Sequence, residues 1–249
     1  MPAFENSQKW ERTLQVGRET EEKTSKPHFM EWVKELPNPL PKGAKSRIKI
    51  SKTKGTASNY LLWQGWSGYL VNMDVIDKDF GSGIPERTLI ATIDDNEDVV
   101  KIELSFYHNY AGDLMKRLLD KNFDPSQTLR LSPYAIDKGA GKTGQNVGIA
   151  AFNGADTKLT ANATEYEGKP AAAHLAGMPD LEKQTIKGVD VYDNTKRNEW
   201  LWTQLEAMVL PKLGVITAAD RPVTKTVPHP DAVNFKGDAS FPGAEDLPF

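Results

Sequence analysis

VVKIELSFYHNYAGDLMKRLLDK, residues 99–121, decides the fold. Val100, Ile102, Leu104 and Phe106 alternate with Lys101, Glu103 and Ser105. An apolar period of two predicts a strand over 99–106, apolar on one face. From residue 109 the period lengthens: Leu114, Met115 and Leu118 fall on one stripe of a helix over 109–121. The chain therefore passes from strand to helix within a few residues. Asp124-Pro125 breaks the pattern after it.

Working outward, alternating segments predict strands at 45–51, 69–77 and 88–106 before the helix, and at 128–136 and 147–153 after it. The block 88–106 is cut at Asp94-Asp95-Asn96-Glu97-Asp98, so it is either one bent strand or a hairpin. The order β-β-β-α-β-β is that of the OB-fold, a five-stranded Greek-key barrel whose strands 2 and 3 and loops 1–2 and 4–5 meet nucleic acid. The expected fold is thus mainly β with helices: an OB-fold body with N- and C-terminal extensions. Residues 1–41 form the first extension, polar at the start. A short helix over 28–36 is predicted from Phe29, Trp32, Val33 and Leu36, ended by Pro37, Pro39 and Pro41. The body runs from 42 to 216 and includes a helix at 194–210, with Trp200, Leu201, Leu205, Met208 and Val209 as its apolar stripe. Residues 217–249 hold five prolines, and three bases face five acids, which predicts a flexible acidic tail.

Two stretches carry chemistry. KGAKSRIKISKTKG, residues 42–55, holds six cations and no acid. Alternation puts Lys45, Arg47 and Lys49 on one sheet face and Ile48 and Ile50 on the other, with Lys52 and Lys54 following. A Lys-rich edge that prevents aggregation is the plainer account. Directly after it, Tyr60, Trp63, Trp66 and Tyr69 recur every three residues among Gly65 and Gly68, which predicts a loop feeding a strand. A cationic groove with aromatic faces is how single strands are bound, since every base has a face to stack. Core packing is the competing role for each ring. In the barrel order, the aromatic segment occupies the first binding loop. The Gly-rich segment DKGAGKTGQN, residues 137–146, with Lys138 and Lys142, occupies the second.

The enzyme signals are thin. GAGKTG at 139–144 suggests a P-loop, but the first required glycine is Ile136, and the segment joins two strands instead of opening a helix. The carboxylates at 94–98 fit a turn. The chain has no cysteine, which excludes disulfides and thiolate zinc sites, and four scattered histidines suggest no metal site. No cofactor is expected. The net charge of −3 excludes a chain basic all over but not a local basic face. No apolar run reaches the ~20 residues of a membrane helix, and MPAFENSQKWERT has no signal core, so a soluble cytoplasmic protein is expected.

The chain's last five residues are Glu245, Asp246, Leu247, Pro248 and Phe249. Two acids before an apolar end that Pro248 stiffens suit capture by a partner pocket. This Asp-Leu-Pro-Phe end resembles the Asp-Ile-Pro-Phe end of bacterial single-stranded DNA-binding proteins and their phage counterparts, with Leu for Ile. The resemblance covers only the tip. It implies a phage-type protein of the host cytoplasm that binds and protects single-stranded DNA in replication, recombination and repair, and recruits partner proteins through its tip. A single-strand annealing protein and a non-enzymatic adaptor are the alternatives.

Overall fold

The computed structural model of the chain describes residues 11–20, 22, 25–51, 55–79, 83–138, 144–161, 175–186 and 189–213. The change of period that opens the sequence reading is the turn from a strand, β7 (Val99–Ser105), into a helix, α1 (Asn109–Leu118). His108 caps that helix through its side chain, which accepts from the Tyr110 amide. Before β7 stand β3 (Lys45–Ile50), β4 (Ala57–Trp63), β5 (Trp66–Lys78) and β6 (Glu86–Asp94); after α1 come β8 (Leu129–Asp137) and β9 (Gln145–Asn153). Short pieces follow: β10 (Thr157–Lys158), the hairpin β11 (Glu182–Ile186) with β12 (Val189–Asp193), and the helices α2 (Thr195–Met208) and α3 (Leu210–Leu213).

The N-terminal part departs from the sequence reading. Residues 11–33 form two strands, β1 (Glu11–Arg18) and β2 (Pro27–Val33), of the main sheet. No helix forms at 28–36. Phe29 and Leu14 are fully buried, so this region belongs to the body and not to an extension. A periodicity of three to four in so short a segment also fits a strand whose Phe29, Glu31 and Val33 face inward while Trp32 faces outward.

The ten strands of the main sheet follow the order β10-β9-β8-β5-β6-β7-β1-β2-β4-β3. All pairs are antiparallel except β1 with β7, which is parallel. The order is open, and no closed five-stranded barrel is found among the described residues. The sheet is nevertheless rolled. Trp63 and Trp66 are only three residues apart, at most about 11 Å along the chain. Their strands β4 and β5 stand five steps apart in the order, which would be about 24 Å in a flat sheet. Only a strongly curled sheet reconciles the two distances, and β2 does lie against β8.

The concave face holds the core: Leu14, Phe29, Leu61, Trp63, Met73, Leu89, Ile93, Val100, Ile102 and Leu104 among others. Helix α1 closes it with Leu114, Met115 and Leu118, and α2 adds Leu201 and Leu205. The glycines of the aromatic segment serve close packing. A Cβ on Gly65 would sit 2.7 Å from the Leu131 carbonyl oxygen, and one on Gly68 would sit 2.6 Å from that of Asp94.

Candidate nucleic-acid interface

The basic stretch is β3, the terminal strand of the sheet, hydrogen-bonded only to β4. Lys45, Arg47 and Lys49 share one face. Ile48 and Ile50, on the opposite face, are 59% and 66% exposed. The reason is position: a terminal strand with one partner projects past the concave core, so both of its faces meet solvent. Lys45 pairs with Glu19 at 2.6 Å and holds that carboxyl below its ordinary value through the hydrogen bond. The Arg47 guanidinium donates to the Arg18 carbonyl. Lys49 is exposed and has no ion pair among the described residues. Lys52 and Lys54 lie outside the described residues.

The aromatic expectation is overturned for three of four rings. Trp63, Trp66 and Tyr69 are 1–2% exposed and belong to the interior, and the segment is strand rather than loop. Trp63 and Trp66 meet edge to face with centroids 5.2 Å apart. The Arg12 guanidinium lies over both rings, 5.2 and 4.7 Å from their centroids. Glu31 completes this node: both its oxygens accept from Arg12, at 2.8 and 2.5 Å, and Oε2 also accepts from the Trp63 indole at 3.2 Å. Burial works against the Arg12 charge, but Glu31, Asp98 and Asp95 more than offset it and raise its pKa. As folded, none of these three rings presents a face to a base.

Tyr60 remains available, half-buried at the outer half of β4. Its two cross-strand partners are Trp32 on β2 and Arg47 on β3. Directly paired residues share a face, so Trp32, Tyr60 and Arg47 form one row across three strands. The next pair along, Ser58 with Lys49, continues the same face. Trp32 is 62% exposed, unusual for so large an apolar ring, and the sequence reading missed it. No alternation in the sequence marks it, since both faces of the strand hold apolar residues and the polar Glu31 faces inward.

Rolling the sheet brings the second cationic feature to the first. Arg18, whose carbonyl accepts from Arg47, donates from its guanidinium to Gln145 Oε1 at 2.9 Å. Gln145 opens β9 and donates to Asp137 at 3.0 Å, at the end of β8. The Lys138 amide donates to the Gly144 carbonyl and closes the base of this hairpin. The Gly-rich segment thus joins two antiparallel strands, without the helix a P-loop needs. Lys142 lies outside the described residues, as do Glu245, Asp246, Leu247, Pro248 and Phe249. Arg18 and Gln145 are the tie between β3 and the hairpin; Gln145 lies in the Gly-rich segment, and no sequence pattern marked Arg18.

A cleft of about 340 Å³ lies elsewhere on the outer face, between Gln15, Glu86, Thr88, Glu103, His108 and Tyr110. Two carboxylates line it, so it disfavours phosphate. Among the described residues, no three His, Cys, Asp or Glu side chains gather as a metal site. No described helix is long and apolar enough to cross a membrane. Comparison with protein-family models, with curated proteins and with solved structures finds no match to this chain.

Proposed function

We propose that the protein binds and protects single-stranded DNA without strong sequence preference, in replication, recombination and repair. The observation that carries this is the row of exposed Trp32 with half-buried Tyr60 and Arg47, and exposed Lys49 beside it, on the terminal three strands. It supplies the two parts single-strand binding needs, ring faces for bases and cations for the backbone. Duplex bases cannot reach such rings, so single strands are preferred. Arg18 extends the cationic track toward the hairpin that carries Lys138.

We read β5-β6-β7-α1-β8-β9 as an OB-type unit, since its element order is that of the OB-fold, enlarged by strands β1 to β4. The tip at 245–249 supports a phage-type protein of the host cytoplasm that recruits replication and repair proteins through Leu247 and Phe249. The protein acts by binding, without catalysis or a cofactor.

Titrating oligo-dT against the full chain at several salt concentrations tests the reading. Three to five phosphate contacts give a log–log slope of about −2 to −3.5. A slope near zero, or equal affinity for duplex, would refute it and leave a protein adaptor.

A further inference from the structure

On the face of the β8–β9 hairpin opposite Gln145, a second cleft of about 210 Å³ lies between α1, α2 and the hairpin. Its walls carry Lys116, Arg117 and Arg197 against one carboxylate, Asp113. That carboxylate is already committed. Asp113 Oδ2 accepts from Arg117 Nε at 3.1 Å, from the Tyr134 hydroxyl at 3.2 Å and from the Ile149 amide at 2.9 Å. A Cβ on Gly148 would come within 2.2 Å of the same oxygen, so the network is closely fitted. Arg117 also donates to the Leu159 carbonyl at 2.7 Å. Arg117 and Asp113 are thus a structural pair that pins α1 to the hairpin.

Lys116 and Arg197 exceed this balance. Lys116 Nζ is 3.9 Å from Asp113 Oδ1, too far for a hydrogen bond. Among the described residues Arg197 donates only its Nε, to the Pro179 carbonyl, and the nearby Asp180 is exposed. Burial lowers the pKa of Lys116, with Asp113 opposing and Arg197 and Arg117 adding to it. Uncompensated cations in a concave site are unfavourable unless an anion neutralises them. The first turn of α1 also reaches this cleft without an acid, whereas the start of α2 is already capped by Asp193, which accepts from the Thr195 amide and hydroxyl.

We propose that this cleft binds a phosphate group, held by Lys116 and Arg197 with Arg117 behind them. The phosphate belongs either to a DNA strand that has crossed the hairpin, a source that rests on the function proposed above, or to free phosphate or a nucleotide.

The test uses the full chain and the variants Arg197→Gln, Lys116→Gln and, as a control outside both proposed sites, Lys212→Gln at an exposed position in α3. Inorganic phosphate should bind the wild type by calorimetry and raise its melting temperature, since a ligand of the folded state stabilises it. Arg197→Gln and Lys116→Gln should weaken that binding at least tenfold without lowering the melting temperature in phosphate-free buffer. Lys212→Gln should leave it unchanged. If Arg197→Gln also weakens oligo-dT binding and flattens its salt slope by about 0.7, the phosphate is the strand's. Unchanged oligo-dT affinity with lost phosphate binding assigns free phosphate or a nucleotide. Should no oligo-dT bind at all, the function proposed above fails while the cleft stands or falls on inorganic phosphate alone. Equal phosphate response in wild type and both cleft variants overturns the proposal.

Discussion

Strand β4 begins in solvent and ends in the core, and its two halves use the same side-chain types for opposite ends. At the inner end, Trp63 meets Trp66 of β5 edge to face, Arg12 lies over both rings, and Glu31 neutralises the cation. At the outer half, Tyr60 stands between Trp32 and Arg47, and the tryptophan is largely exposed. Tryptophan beside arginine therefore does not identify a binding face. What separates the two is whether further strands cover the site.

The most disruptive test of this contrast is Trp66→Ala. Removing a fully buried ring that packs on Trp63 and Arg12 should cost ~3–5 kcal/mol of stability in urea unfolding. The folded fraction should still bind oligo-dT as the wild type does. Loss of binding with unchanged stability would reverse the assignment of the two halves.

Trp32→Ala is the counterpart. It should leave the unfolding midpoint nearly unchanged and weaken oligo-dT binding by ~1–3 kcal/mol, read from fluorescence or filter titration. A lower midpoint with intact binding would make Trp32 another packing residue.

Acid should act on the interior and spare the outer row. His28 is buried, its Nδ1 donates to the Lys26 carbonyl at 3.1 Å, and Nε2 has no partner among the described residues. Burial pushes the pKa of His28 down. Below about pH 6.5 the unfolded chain takes up a proton that the folded chain refuses, so stability present above that pH is lost as pH falls. The loss is at most ~1.4 kcal/mol per pH unit. Urea melts between pH 7.5 and 5.5 should show it, and His28→Gln should flatten it. Stability that rises on acidification would contradict this.

The smallest effect on binding is expected from deleting Asp246–Phe249. Removing one acid that competes with DNA for the cations should leave oligo-dT affinity equal or a few-fold higher, and the gain should shrink with salt. Recruitment of replication proteins should disappear in a pull-down, and Phe249→Ala should do nearly as much. Equal recovery by intact and shortened chains would remove the tip from the function.

The sequence by itself determined the local elements whose period is unambiguous. Strands near 45–50, 66–78, 86–94, 99–105, 129–137 and 145–153 and the helices at 109–118 and 195–208 all follow from it, because side-chain periodicity is a property of neighbours along the chain. It also marked β3 as cationic and the Gly-rich segment as a connection between strands. Only the tertiary structure decided which aromatics are buried. Burial depends on what covers a residue, and β4 and β5 acquire their cover from strands distant in sequence. For the same reason it alone turned 27–33 from helix to strand, since β1 and β4 offer hydrogen bonds that local spacing does not record. The roll of the sheet, which brings Arg47, Arg18 and Gln145 into one chain of contacts, belongs to the three-dimensional pairing order and to no segment of the sequence.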